Sequence, residues 1–84
     1  MWRAEIKVLL KPSILDPQGQ AAEKALATMG YTGVDRVRVG KYLEVTFNAP
    51  DRTAAEAKVQ ELCNRLLVNT VIEDYTYHLV EVAP

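Results

Sequence analysis

Eighty-four residues leave room for one small domain and little else. Ten Lys/Arg against eleven Asp/Glu give a net charge of −1, a near-neutrality that argues against the strong electrostatic footprint of a nucleic-acid binder, and no nucleic-acid partner is expected. One cysteine and one histidine exclude an internal disulfide and a thiolate- or imidazole-rich metal site, and no apolar run approaches the ~20 residues that span a bilayer.

The opening segment MWRAEIKVLLKP has neither the long apolar stretch nor the small-residue cleavage site of a signal peptide. A soluble, cytoplasmic single domain over residues 1–84 is therefore expected, with no membrane contact. Within that segment Trp2, Ala4, Ile6, Val8 and Leu10 alternate with Arg3, Glu5 and Lys7, the period of a strand with one buried face. Asp16-Pro17 then reads as a helix start, because the Asp16 carboxylate can accept from free backbone N–H groups and Pro17 suits the first helical position. Ala22, Ala25, Leu26 and Met29 follow at helical spacing, and Gly30 is a C-terminal stop. This helix is thin in large apolar residues, so it packs closely or leans on a partner.

Val34 to Asn48 predicts a hairpin pivoting near Gly40-Lys41. A two-residue turn there places Val37 and Val39 on the face opposite Leu43, Val45 and Phe47. Uniting all five on one face requires an odd loop or a bulge at Gly40, and both arrangements stay open. Thr53 and Glu56 form a candidate capping box, with Asp51 as the alternative cap. Val59, Leu62, Cys63, Leu66 and Leu67 then make the strongest helical stripe in the chain. After an exit at Asn69-Thr70, residues 74–82 predict a strand with Tyr75, Tyr77 and Leu79 on one face. Thr76, His78, Val80 and Val82 lie on the other, an apolar content on both faces that suits contact with another chain. The order is βαββαβ: an α+β two-layer sandwich, an antiparallel sheet with two helices on one face, of ferredoxin-like element order.

Charge is unevenly placed. Residues 1–42 hold seven Lys/Arg against four Asp/Glu, and residues 43–84 hold three against seven. Two readings stand open, a merely solvated surface and a basis for self-association or a charged partner. The stripe Arg36, Arg38 and Lys41 carries the same two readings.

Little in the chain resembles catalytic machinery. Cys63 falls inside an apolar helical stripe and reads as a buried inert thiol, and His78 has no evident orienting group. Glu73 and Asp74 are adjacent on a strand, point to opposite faces and cannot converge on one ion, so no metal site is expected. The four glycines match no phosphate-binding loop. The element order invites an RNA-recognition reading, but GKYLEVTF (Gly40 to Phe47) places Glu44 where that module needs a stacking aromatic.

Three stretches, LKPSILDPQG (Leu10 to Gly19), VRVGKYLEV (Val37 to Val45) and ELCNRLLVNTVIEDY (Glu61 to Tyr75), together resemble PurS, the small subunit of phosphoribosylformylglycinamidine synthase (FGAM synthase). The resemblance covers essentially the whole chain, with Thr70 standing where many members carry proline. It implies a PurS-like fold and a non-catalytic role in de novo purine biosynthesis. The parent enzyme is a glutamine-dependent, ATP-consuming carbon–nitrogen ligase of the cytoplasm. Its glutaminase subunit (PurQ) releases ammonia and its synthetase subunit (PurL) activates the substrate amide, while the small subunit holds the complex together and assists ammonia transfer. No catalytic residue and no cofactor is expected in this chain; ATP and magnesium belong to the synthetase. A homodimer or homotetramer is expected, built by the hairpin and last strand. The candidate partner-binding residues are Lys11, Asp16, Gln18, Gly19, Arg36, Arg38, Gly40, Lys41, Glu73 and Tyr75, with two segments of the chain, DPQG and the Gly40-Lys41 turn, facing the large partners. For DPQG a plain helix cap, and for Gly40 a plain turn glycine, remain the competing readings. The alternative functions are a stand-alone small enzyme of acylphosphatase type, whose signature loop is absent here, and a small-molecule-sensing regulatory domain.

Overall fold

The computed structural model describes residues 1–83; Pro84, the last residue of the expected domain, lies outside the described residues. Three strands, β1 (Trp2–Leu10), β2 (Gly40–Phe47) and β3 (Glu73–Glu81), form one antiparallel sheet in the order β2-β1-β3. The alternation seen in the sequence of β1 is the alternation of burial: Trp2, Ala4, Ile6 and Val8 are buried and lie on one face. Ile6 sits between Leu43 of β2 and Tyr77 of β3, so the apolar residues of the three strands share that face.

Helix α2 (Arg52–Leu62) supplies the second layer, with Ala55, Val59 and Cys63 in the same core cluster as Ile6, Val8, Phe47 and Leu79. Its cap is Asp51, whose carboxylate accepts from the Ala54 N–H at 2.8 Å, so the alternative cap prevails over the Thr53/Glu56 box. The helix then continues as a π-helical turn, Cys63–Leu67, closed by the Val68 N–H on the Cys63 carbonyl at 3.0 Å. This wider turn rotates the expected stripe: Cys63 stays buried, whereas Leu66 is 78% exposed. No helix among the described residues is long and apolar enough to cross a membrane.

Helix α1 (Pro17–Thr28) starts where the sequence places it, with Asp16 as cap, and ends before Gly30, which takes a left-handed φ of +87°. Gly19 is its one buried residue. The α+β class, antiparallel sheet and two helices are as expected, but the hairpin is not. The chain does not reverse at Gly40-Lys41. Instead Val34–Val39 runs as an extended strap outside the sheet and leads straight into β2. The valines look like strand residues, but β1 ends at Leu10 and leaves the strap no neighbouring strand. Gly40 is accordingly not a turn residue. It pairs with Leu9, and an added β-carbon would run into the Val8 carbonyl oxygen, so close strand approach is what requires glycine there.

Backbone parity defines the edges of the sheet. The Lys11 N–H donates to the Ile72 carbonyl and the Val82 N–H to the Met1 carbonyl, each at 2.8 Å, so odd residues of β1 bond to β3 and even ones to β2. Odd residues of β2 therefore face β1, and the N–H and C=O groups of Gly40, Tyr42, Glu44 and Thr46 point out from the edge.

Candidate functional site: a cleft between the strap and the sheet end

The Asp16 carboxylate organises this end of the molecule. One oxygen, Oδ1, accepts from the Gly19 N–H and the other, Oδ2, from the Val39 N–H, both at 2.9 Å. These two bonds, Val39 first, hold the Asp16 pKa below its ordinary value of 3.8. Two helical turns further along the same face, Glu23 Oε1 accepts from the Val37 N–H at 3.1 Å. Two carboxylates thus take the place of the missing β1 carbonyls beside the strap. Two guanidinium groups complete the binding: Arg36 donates to the Pro12 carbonyl at 3.2 Å and Arg38 to the Leu10 carbonyl at 2.6 Å. Gly19 packs so closely beneath this strap that a β-carbon would meet the Val37 carbonyl oxygen and the Asp16 carboxylate.

Beside the clamp lies a cleft of about 300 Å³, floored by Val8 and Leu10 and walled by Asp16, Pro17 and Gln18 on one side and Val39, Gly40, Lys41 and Glu73 on the other. Lys41 Nζ approaches Glu73 Oε1 at 3.9 Å, and the same oxygen accepts from the Asn69 N–H at 2.8 Å. The Glu73 side chain is only 18% exposed and that of Lys41 is 50% exposed, so the carboxylate is the enclosed member of the pair and the lysine stays half in solvent.

Five of the residues singled out in the sequence, Asp16, Gln18, Gly40, Lys41 and Glu73, meet in this cleft. Gly19, Arg36 and Arg38 form the strap contacts beside it. Lys11 and Tyr75 do not join them. The Lys11 backbone ties β1 to the segment before β3, and the Tyr75 hydroxyl donates to Asn64 Oδ1 at 3.3 Å while its ring stacks on Tyr77 at 6.5 Å. Glu23 was missed; its seven-residue spacing from Asp16, two helical turns on one face, was the available signal.

The nucleophile–base pair the sequence offers, Cys63 and His78, is not brought together. Cys63 is fully buried on the helix side of the sheet, and burial pushes its thiol pKa up. His78, even-numbered on β3, lies on the opposite face, so the sheet separates the one nucleophile–base pair the sequence offers. Glu73 and Asp74 diverge as expected, and no group of three His, Cys, Asp or Glu that could hold a metal occurs among the described residues.

The sequence profile of PurS: Phosphoribosylformylglycinamidine (FGAM) synthase matches residues 3–81. The chain belongs to the PurS family. The phosphoribosylformylglycinamidine synthase subunit PurS of Bacillus subtilis is 49% identical over 82 residues, covering 98% of this chain and 96% of that one. A crystal structure of B. subtilis PurS matches with a TM-score of 0.86 at 48% identity, over 96% of this chain and all of that one. A chain of the PurLQS structure from Thermotoga maritima matches with a TM-score of 0.84 at 28% identity, over 94% of this chain and 96% of that one. These relatives are PurS subunits, so they support the subunit reading over the stand-alone enzyme or sensor.

Proposed function

We propose that this chain is the non-catalytic small subunit of an FGAM synthase in de novo purine biosynthesis, assembling with PurL and PurQ. The observation that carries it is the pairing of PurS-family membership with a structured end whose polar groups are committed to shape. Asp16, Glu23, Arg36 and Arg38 spend their hydrogen bonds on holding the strap, and Lys41, half-exposed beside Glu73, is the charge a partner would meet. ATP and magnesium belong to the synthetase, glutamine to the glutaminase, and the complex to the cytoplasm. This subunit's share in ammonia transfer is enclosure, because a wall that excludes water keeps ammonia from protonation and loss.

The cleft, with Gln18 and Lys41 on opposite walls, is the contact surface for the larger subunits. Replacing Lys41 with Glu sets two carboxylates against each other beside Glu73 and reverses the charge a partner meets. The Lys41→Glu protein should keep its circular dichroism and lose co-purification with the synthetase by tenfold or more, about 1.4 kcal/mol. Undiminished co-purification would remove the cleft from the contact.

A further inference from the structure

Helix α1 stands outside the core. Among the described residues none between Lys11 and Val39 belongs to the core cluster, and no backbone–backbone hydrogen bond reaches residues 34–38. The chain enters this region from the end of β1 and leaves it into β2, so the sheet fixes both of its ends. Between those ends α1 buries only Gly19, and packing along its length does not set its direction.

Two carboxylates set it instead. Asp16 joins the start of α1 to the Val39 N–H, and Glu23, two turns further on, joins it to the Val37 N–H. Helix and strap therefore run antiparallel, held at two points about 10 Å apart along the helix axis. One such bond is a pivot, whereas two define a line. Without the Glu23 bond, α1 can swing about its N-terminal turn while Asp16 still holds Val39.

We propose that Glu23 is a positioning residue for assembly: it fixes the angle of α1 against the strap, and with it the separation of the two walls of the cleft. One wall, Asp16, Pro17 and Gln18, belongs to the start of α1, and the other, Val39, Gly40 and Lys41, continues the strap into the sheet. Glu23 touches no residue of either wall and acts through the Val37 backbone. A swinging helix presents the correct cleft only part of the time, and the apparent affinity of a partner falls by that fraction. The link to assembly rests on the reading of the cleft as the contact surface; the positioning of α1 does not, and it is tested on the protein alone.

Lys24 on α1 and Lys58 on α2 are both exposed, and spin labels on a Lys24→Cys/Lys58→Cys protein report the angle of α1 as a distance distribution. Labelled chains are diluted with unlabelled ones so that only distances within one chain are read. The distribution should be narrow with Glu23 present and broad in Glu23→Ala. It should be narrow again in Glu23→Gln, whose amide oxygen can accept the same N–H. A narrow distribution in Glu23→Ala, or no recovery in Glu23→Gln, overturns the positioning role. In co-purification with the synthetase, Glu23→Ala should weaken binding by about tenfold and Glu23→Gln should return it to within about threefold. If Lys41→Glu loses the synthetase while Glu23→Ala binds as the native protein does, the cleft stands as the contact and the role of Glu23 in assembly falls. If both variants bind undiminished, the cleft reading itself falls, and a broadened Glu23→Ala distribution would still show Glu23 setting the helix.

Discussion

Asp16 does with one carboxylate what a neighbouring strand and a helix cap would do separately, and the consequence is a predictable pH response. Its folded pKa lies below 3.8, so the clamp's contribution is complete above the unfolded value and is lost as pH falls through the lower folded value. The carboxyl carbon of Asp16 should titrate in NMR with a midpoint below 3.8, and the Val39 N–H should lose exchange protection over the same range. A midpoint at or above 3.8 would contradict the clamp. Gly19 offers a test of opposite sign to the usual rule. In an open helix, Gly→Ala gains roughly 0.5–1 kcal/mol. Here the new methyl would meet the Val37 carbonyl and the Asp16 carboxylate, so Gly19→Ala should lower the denaturant midpoint instead. A raised midpoint would mean that the strap yields at no cost.

Helices and strands were legible in proportion to how far their own residues decide them. The period of two in β1, the Asp16-Pro17 start and the Gly30 stop are local, and each appears where the sequence puts it. The strap was misjudged because Val37 and Val39 are strand-like in conformation, while being in a sheet depends on where β1 stops. The cleft was half legible: its residues could be chosen from the resemblance, but their convergence depends on Glu23 and Asp16 reaching across more than a dozen residues to the strap. The helical stripe was misjudged in one place, the π-helical turn that swings Leu66 outward. Two truncations separate that turn from a regular helix. Val59→Ala removes two methyl groups from a site 1% exposed and should cost about 2–3 kcal/mol in chemical denaturation. Leu66→Ala, at 78% exposure, should stay within about 0.5 kcal/mol of the native protein. Equal losses at both positions would show that Leu66 is packed.

At the scale of the whole molecule, shape and charge both point outward. A compact 84-residue domain has a radius of gyration of about 12 Å. This chain has one of 16.6 Å and a long dimension of 52 Å, because α1 and the strap extend beyond the sheet and leave Met29 70% exposed. The charge imbalance of the two halves is likewise not discharged within the chain. Of the four ion pairs among the described residues, Arg3–Glu5, Arg52–Glu56 and Arg65–Glu61 are local, and Lys41–Glu73 alone joins the basic half to the acidic half. A chain whose α1 end leaves Met29 70% exposed gains stability if copies cover it, so its thermal midpoint should rise with protein concentration. Met29 isolates the helical part of that gain. It touches solvent in the single chain, so Met29→Glu should leave the helical circular dichroism unchanged, while an uncompensated carboxylate in a covered stripe would oppose association. Thermal melts over a hundredfold range of concentration should show a rising midpoint for the native protein and a flattened slope for the variant. A native midpoint independent of concentration would mean that the extended arm is stable uncovered, and that its apolar stripe has some other use.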